Sequence, residues 1–201
     1  MARTQAAEYE ERRAEIVSRA ADLFAERGFL GASIADLAKA CKTSKSLIYH
    51  YYESKEAILF EVMHSHVKAL LDVAKDIEAR PAGALDKLRA MTREFMRIYL
   101  GAAPRQRVLL NELARLPDKQ RQTVIGIQRN LIDIAEKILV EIRPALATRA
   151  ALKRPSVMLY FGMINWMHTW LDPAGRAKPA KIADLAVNIF LDGIGDADLP
   201  S

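Results

Sequence analysis

The chain has 201 residues, 51% of them hydrophobic and 27% charged, a balance that sustains an ordered core and excludes a disordered chain. Its formal charge of +5 suggests nucleic acid, yet residues 1–56 carry as many acids as bases. The excess therefore lies wholly beyond residue 56, and bulk charge cannot carry a nucleic-acid reading.

Met1–Arg13 is too polar for a secretory signal. The most apolar stretch, Val157–Leu171, contains Asn165, His168 and Thr169 and is too short to cross a bilayer. A single cysteine, Cys41, can form neither an internal disulfide nor a thiolate metal cluster. A cytoplasmic protein with no membrane partner is expected.

Strict alternation is absent and apolar residues recur at three and four, which predicts an all-α fold of about nine helices. The first segment places Ile16, Ala20, Leu23 and Phe24 on one face and stops at Gly28. Ser33 can cap a short second helix with Asp36, its inner face formed by Ile34, Leu37, Ala38 and Cys41. After a break at Lys42 and Thr43, Ser44 can cap a third helix through Tyr51. Ser54 then caps a long helix with Leu59, Val62, Met63, His66, Leu70, Val73 and Ile77 inward until Pro81.

Later prolines punctuate helices near 84–101, 106–116, 118–147, 156–171 and 180–193. The last two are apolar nearly all round, so a partner subunit is expected to cover them. The division expected is a helix-turn-helix domain over 1–55 and a helical ligand-binding and dimerisation domain over 56–201.

Residues 33–51 form helix, tight turn, helix, a geometry in which the second helix can enter the major groove while the first braces it. Ile48 and Tyr52 lie four apart and turn inward, which leaves Lys45, Ser46, Tyr49 and His50 outward as donors and acceptors for base edges. Phosphate contacts are expected from Ser33 or Ser44 at the helix N-termini, from Tyr49, and from Lys55, and Thr43 is a further DNA-binding candidate.

The stretch from Ser33 through Leu59, with Tyr49, Tyr52, Ser54 and Lys55, closely resembles the signature of TetR-family transcriptional regulators. Ala21, Phe24 and Gly28 sit where that pattern wants them; Lys42 departs from it, standing where the family usually has a turn glycine. The resemblance implies a ligand-responsive repressor that binds a palindromic operator in double-stranded DNA as a homodimer, through the last two helices. It also implies an effector pocket under the long fourth helix.

Candidate pocket residues are Met63, His66, Met91, Phe95, Tyr99, Met163, Trp166, Met167 and Trp170, although methionine and tryptophan at helical spacing also suit plain core. Arg105 and Arg107, with Lys153, Arg154, Arg176, Lys178 and Lys181, could form a basic rim for a polyanionic effector. The stretch Tyr160–Gly175 resembles that of TetR-type regulators that respond to coenzyme A esters, which makes an acyl-CoA thioester the expected effector. Another hydrophobic effector, or a DNA-binding adaptor without a ligand, are the alternatives.

No cofactor is expected. An enzyme is disfavoured because no nucleophile elbow or histidine–carboxylate spacing is present in the sequence. His64 and His66, two apart, diverge on a helix and cannot share a metal. Cys41 reads as a small buried apolar group.

Overall fold

The structure, a computed structural model, describes residues 2–196, with side chains described for 6–193. Among the described residues there are nine α-helices and no strand: α1 (Ala2–Gly31), α2 (Ile34–Ala40), α3 (Lys45–Tyr51), α4 (Lys55–Glu78), α5 (Ala84–Gly101), α6 (Ala103–Asn111), α7 (Asp118–Ile142), α8 (Ala150–Asn165) and α9 (Pro179–Asp196). They form two compact units. Of the described residues, the first unit takes those up to Lys68 and Pro104–Gly126; the second takes Ala69–Ala103 and those from Ile127 onward. The first half of α4 and the part of α6 from Pro104 onward thus cluster with the helix-turn-helix, beyond the cut expected after residue 55.

In the first unit, Ile16, Ala20, Leu23 and Phe24 of α1 are buried along the expected face. Regular helix breaks at Gly28 (φ 72°, ψ 162°), a backbone that a side chain would strain. A helical turn then resumes as far as Gly31. Ser33 and Asp36 form a reciprocal capping box at α2. Ser44 Oγ accepts the Leu47 amide at 3.1 Å to cap α3, and Ser54 Oγ accepts the Ala57 amide at 3.0 Å to cap α4.

The C-terminus of α2 shows why Lys42 is tolerated in place of glycine. Lys42 sits at φ 50°, its N–H donates to Lys39 O at 3.1 Å, and the Thr43 N–H donates to Ala38 O at 2.9 Å. This pair of bonds is the Schellman closure, and it satisfies two carbonyls that a helix end otherwise leaves bare.

The second unit is built on α5, which packs against α8 and α9. Met91, Phe95 and Tyr99 of α5 are fully enclosed in one continuous core with Tyr160, Phe161 and Phe190. A polar stitch crosses it: Thr92 Oγ1 bonds Leu88 O and the Tyr160 hydroxyl, both at 2.7 Å. Arg93 grips Asp184 with two bonds of 2.7 Å, although at this exposure the pair contributes at most about 1 kcal/mol.

Several helix ends differ from expectation, most of them near a proline. α6 starts at Ala103, since Pro104 suits a first helical turn, and a 3-10 turn over Leu113–Arg115 replaces its expected end. Pro144 cannot donate into α7, which stops at Ile142 and is followed by a separate turn, Pro144–Leu146. α8 starts at Ala150 rather than 156 and accepts Pro155 in its second turn. It ends at Asn165, and Met167–Thr169 forms a 3-10 turn instead of continuing to 171.

A lysine in the left-handed region is strained by about 1–2 kcal/mol, while glycine costs about 0.5–1 kcal/mol more to order. Lys42→Gly is therefore expected to raise unfolding free energy by about 0.5 kcal/mol, measured by urea denaturation. A loss of stability would show that the lysine side chain supports the turn.

Candidate nucleic-acid interface and effector region

α3 owes its orientation to two anchors. Ile48 is fully buried and Tyr52, just past its end, is 6% exposed. The opposite face carries Lys45, Ser46, Tyr49 and His50, all exposed, so the four expected base-reading side chains project outward together. Their support comes partly from α1. The Tyr9 ring lies 4.8 Å from that of Tyr51, whose edge meets His50 at 5.3 Å, and the Arg13 guanidinium lies over Tyr52 at 5.3 Å.

The expected phosphate contacts fare unequally. Ser44 acts as an acceptor in its cap and keeps a hydroxyl proton to donate outward. Ser33 is doubly engaged, accepting the Asp36 amide while donating to the Asp36 carboxylate. Thr43 is half-buried at the α2 terminus.

Lys55 is engaged within the fold. Its ammonium donates to Phe29 O at 2.8 Å and Ala32 O at 2.9 Å and lies 4.1 Å from the centre of the Phe29 ring. It braces the end of α1, where bare carbonyls attract a cation. An open cleft of about 540 Å³ beside Tyr51 is lined by Glu8, Tyr9, Glu11, Arg12 and Glu15. Three carboxylates there disfavour a phosphate backbone.

The expected effector residues are divided between the two units. Met63, His66, Arg105 and Arg107 belong to the first unit, while Met91, Phe95, Tyr99, Met163, Trp166, Met167 and Trp170 belong to the second. Met91, Phe95, Tyr99 and Met167 are core, Met163 packs against that core half-buried, and Trp166 and Trp170 are exposed, at 67% and 57%. The tryptophans are thus surface groups of the single chain, Trp166 at the C-cap of α8 and Trp170 at the end of the 3-10 turn.

The basic rim is partly neutralised: Lys153 lies 3.8 Å from Glu136, and Arg154 lies 2.6 Å from Asp133 and 3.4 Å from Glu136. His168 is held by the Asn165 carbonyl at 2.6 Å. Among the described residues no cluster could hold a metal ion, and no helix is long and apolar enough to cross a membrane. Cys41 is 3% exposed, and burial pushes its thiol pKa up, which disfavours the reactive thiolate.

Residues 16–62 match the model of bacterial regulatory proteins of the tetR family, and residues 81–194 match the tetracyclin repressor-like C-terminal domain. The chain belongs to the TetR family. It is a transcriptional regulator of the helix-turn-helix type, not an enzyme.

Among solved structures, a TetR-family transcriptional regulator from Bordetella parapertussis is 36% identical, with a TM-score of 0.87, covering 94% of this chain and 98% of that one. AibR, in complex with isovaleryl coenzyme A and operator DNA, is 25% identical with a TM-score of 0.74, covering 89% of this chain and 97% of that one. The HTH-type transcriptional repressor KstR2 of Mycolicibacterium smegmatis is 28% identical over 192 residues, 91% of this chain and 90% of that protein.

One buried pair of this TetR-family chain was not legible in the sequence. His66 Nε2 and Gln106 Oε1 meet at 2.7 Å, both enclosed, joining α4 to α6. Burial holds the imidazole below its ordinary 6.5, Arg105 adds to the effect, and the bond to Gln106 opposes it. The folded state thus favours the neutral ring. Its contribution to stability is complete above pH 6.5 and is lost as the pH falls from there through the depressed folded value. In melting curves between about pH 7.5 and 5, wild type should lose its advantage over His66→Gln as acid is added. Parallel curves would show that His66 does not titrate on unfolding.

Proposed function

We propose that the chain is a repressor that binds a palindromic operator as a homodimer and is released when an acyl-CoA thioester occupies its C-terminal domain. One observation carries the DNA half of this reading: Lys45, Ser46, Tyr49 and His50 share the exposed face of a helix whose other face is anchored by Ile48 and Tyr52. A helix so presented can meet base edges in the major groove, and a twofold mate would read the second half-site.

The homodimer is supported by apolar side chains in water. Met158 and Leu159 on α8 are 50% and 70% exposed, and Leu185 and Ile189 on α9 are 50% and 56% exposed. Isolated exposed leucines need no explanation, but four large ones on the two most apolar helices suit a matching surface on a second copy. The acyl-CoA effector is supported by the likeness to AibR, which is described with isovaleryl coenzyme A. Exposed Arg107, Arg176, Lys178 and Lys181 are consistent with an anionic ligand. A ligand that binds better to a form with α4 displaced would shift the population away from the operator-binding form.

Selection from a random duplex pool by the wild-type protein should recover an inverted repeat. Tyr49→Ala should weaken retention of that duplex by roughly tenfold or more while leaving the dimer mass and melting temperature unchanged. Loss of the dimer with that substitution would make the face structural, and binding without sequence preference would favour an adaptor. In parallel, isovaleryl-CoA or a longer acyl-CoA at about a hundred times its Kd should stabilise the protein by about 2.7 kcal/mol and release the duplex. Release by a hydrophobic compound lacking coenzyme A, with none by the thioesters, would assign another effector class.

A further inference from the structure

The end of α1 is held from two sides. Broken helix at Gly28 leaves backbone groups that need partners from elsewhere in the fold. The Phe29 N–H donates to Glu112 Oε1 at 3.1 Å, and the Phe29 carbonyl accepts from Lys55 at 2.8 Å. The two partners come from distant elements, Glu112 following α6 and Lys55 opening α4. The Phe29 ring itself is buried, edge-on to Phe24 at 5.5 Å. One residue thus has its amide, its carbonyl and its side chain all fastened.

Glu112 is built into this place. Its side chain is 17% exposed, with Arg115 at 3.8 Å beside it. The positive φ at Gly28 favours glycine, and a Cβ there would come within 3.3 Å of Glu112 Oε1, which would have to give by a few tenths of an ångström. The grip also lies immediately upstream of the helix-turn-helix: the chain passes from Phe29 through Ala32 to the Ser33 cap of α2. Although Glu112 falls within the residues matched by the C-terminal family domain, it clusters physically with the first unit.

We infer that Glu112 is a positioning residue for DNA recognition, which fixes the Phe29 peptide and with it the angle at which α1 delivers the chain to α2 and α3. Glu112 touches no base or phosphate in this role; it acts through the Phe29 amide. The inference rests on α3 being the reading helix. What matters in Glu112 is an acceptor oxygen at the right reach, so a neutral amide of the same length preserves the function and a truncated side chain loses it.

The test uses the full chain and the labelled duplex that wild type recovers from a random pool. Hydrogen exchange of the Phe29 amide serves as a local reporter. Glu112→Ala should bind that duplex roughly tenfold more weakly and expose the Phe29 amide to exchange, while Glu112→Gln should stay within about threefold of wild type and keep the amide protected. Equal binding by Glu112→Ala and wild type, or equal loss by Ala and Gln, overturns the proposal. Should Glu112→Ala fail to fold, Glu112→Asp carries the test: it keeps the charge but withdraws the acceptor by one methylene, and undiminished affinity there is equally fatal. A wild-type protein that recovers no duplex overturns the reading of α3, and the role of Glu112 with it; a duplex bound alike by wild type and Glu112→Ala overturns the role of Glu112 alone.

Discussion

A helix of seven residues has no stability of its own in water, since helices shorter than about 12–15 residues are marginal even with favourable composition. α3 exists because one side of it is buried. Enclosing Ile48, together with Tyr52 just past its end, contributes about 1.5–3 kcal/mol each, and the Ser44 cap adds about 1 kcal/mol. The reading face is the remainder of that transaction: whatever is not anchored points outward. Arg13 over Tyr52, and Tyr9 against Tyr51, extend the anchoring from α1 to the far end of α3. The position of Lys45, Ser46, Tyr49 and His50 is thus a consequence of core packing before it is a matter of DNA chemistry.

Both compact units are built on buried apolar side chains. To these the first adds directed contacts between distant segments, with Glu112 and Lys55 on the Phe29 peptide and His66 on Gln106. Such bonds are worth about 1 kcal/mol each when made, or more with a charged partner, but cost more when broken in a buried site, so they specify geometry more than they add stability. The second relies on apolar area around Met91, Phe95, Tyr160 and Phe161, with Thr92 and Tyr160 satisfying each other inside it. A regulator needs both properties. Directed bonds fix the orientation that a DNA-binding helix-turn-helix needs, and apolar burial holds the helices around α5 together.

Much of the first unit was legible because its determinants are local. Ser33 with Asp36, Ser44 with Leu47 and Ser54 with Ala57 are contacts over three residues, and the inner faces of α1, α2 and α4 follow the helical period. Lys42 was legible as the occupant of a turn that favours glycine, and its positive φ agrees. Proline was a poorer guide. It marks places where one donor is missing, and α8 absorbs Pro155 because the surrounding packing holds the helix regardless. Trp166 and Trp170 continue the apolar pattern of α8 past its last residue, and both are exposed in the single chain.

The sequence by itself determined the fold class, the family, the caps and the face that α3 presents, since each rests on residues within a turn or two of one another. Only the tertiary structure decided that Lys55 braces α1, that Glu112 reaches back to Phe29 across 83 positions of chain, and that His66 is enclosed with Gln106. The physical reason is the range of the interaction. A helical period or a capping box is written along the chain, whereas the partner of a buried polar group is chosen by which segments packing brings within three ångströms, and no spacing in the sequence records that distance.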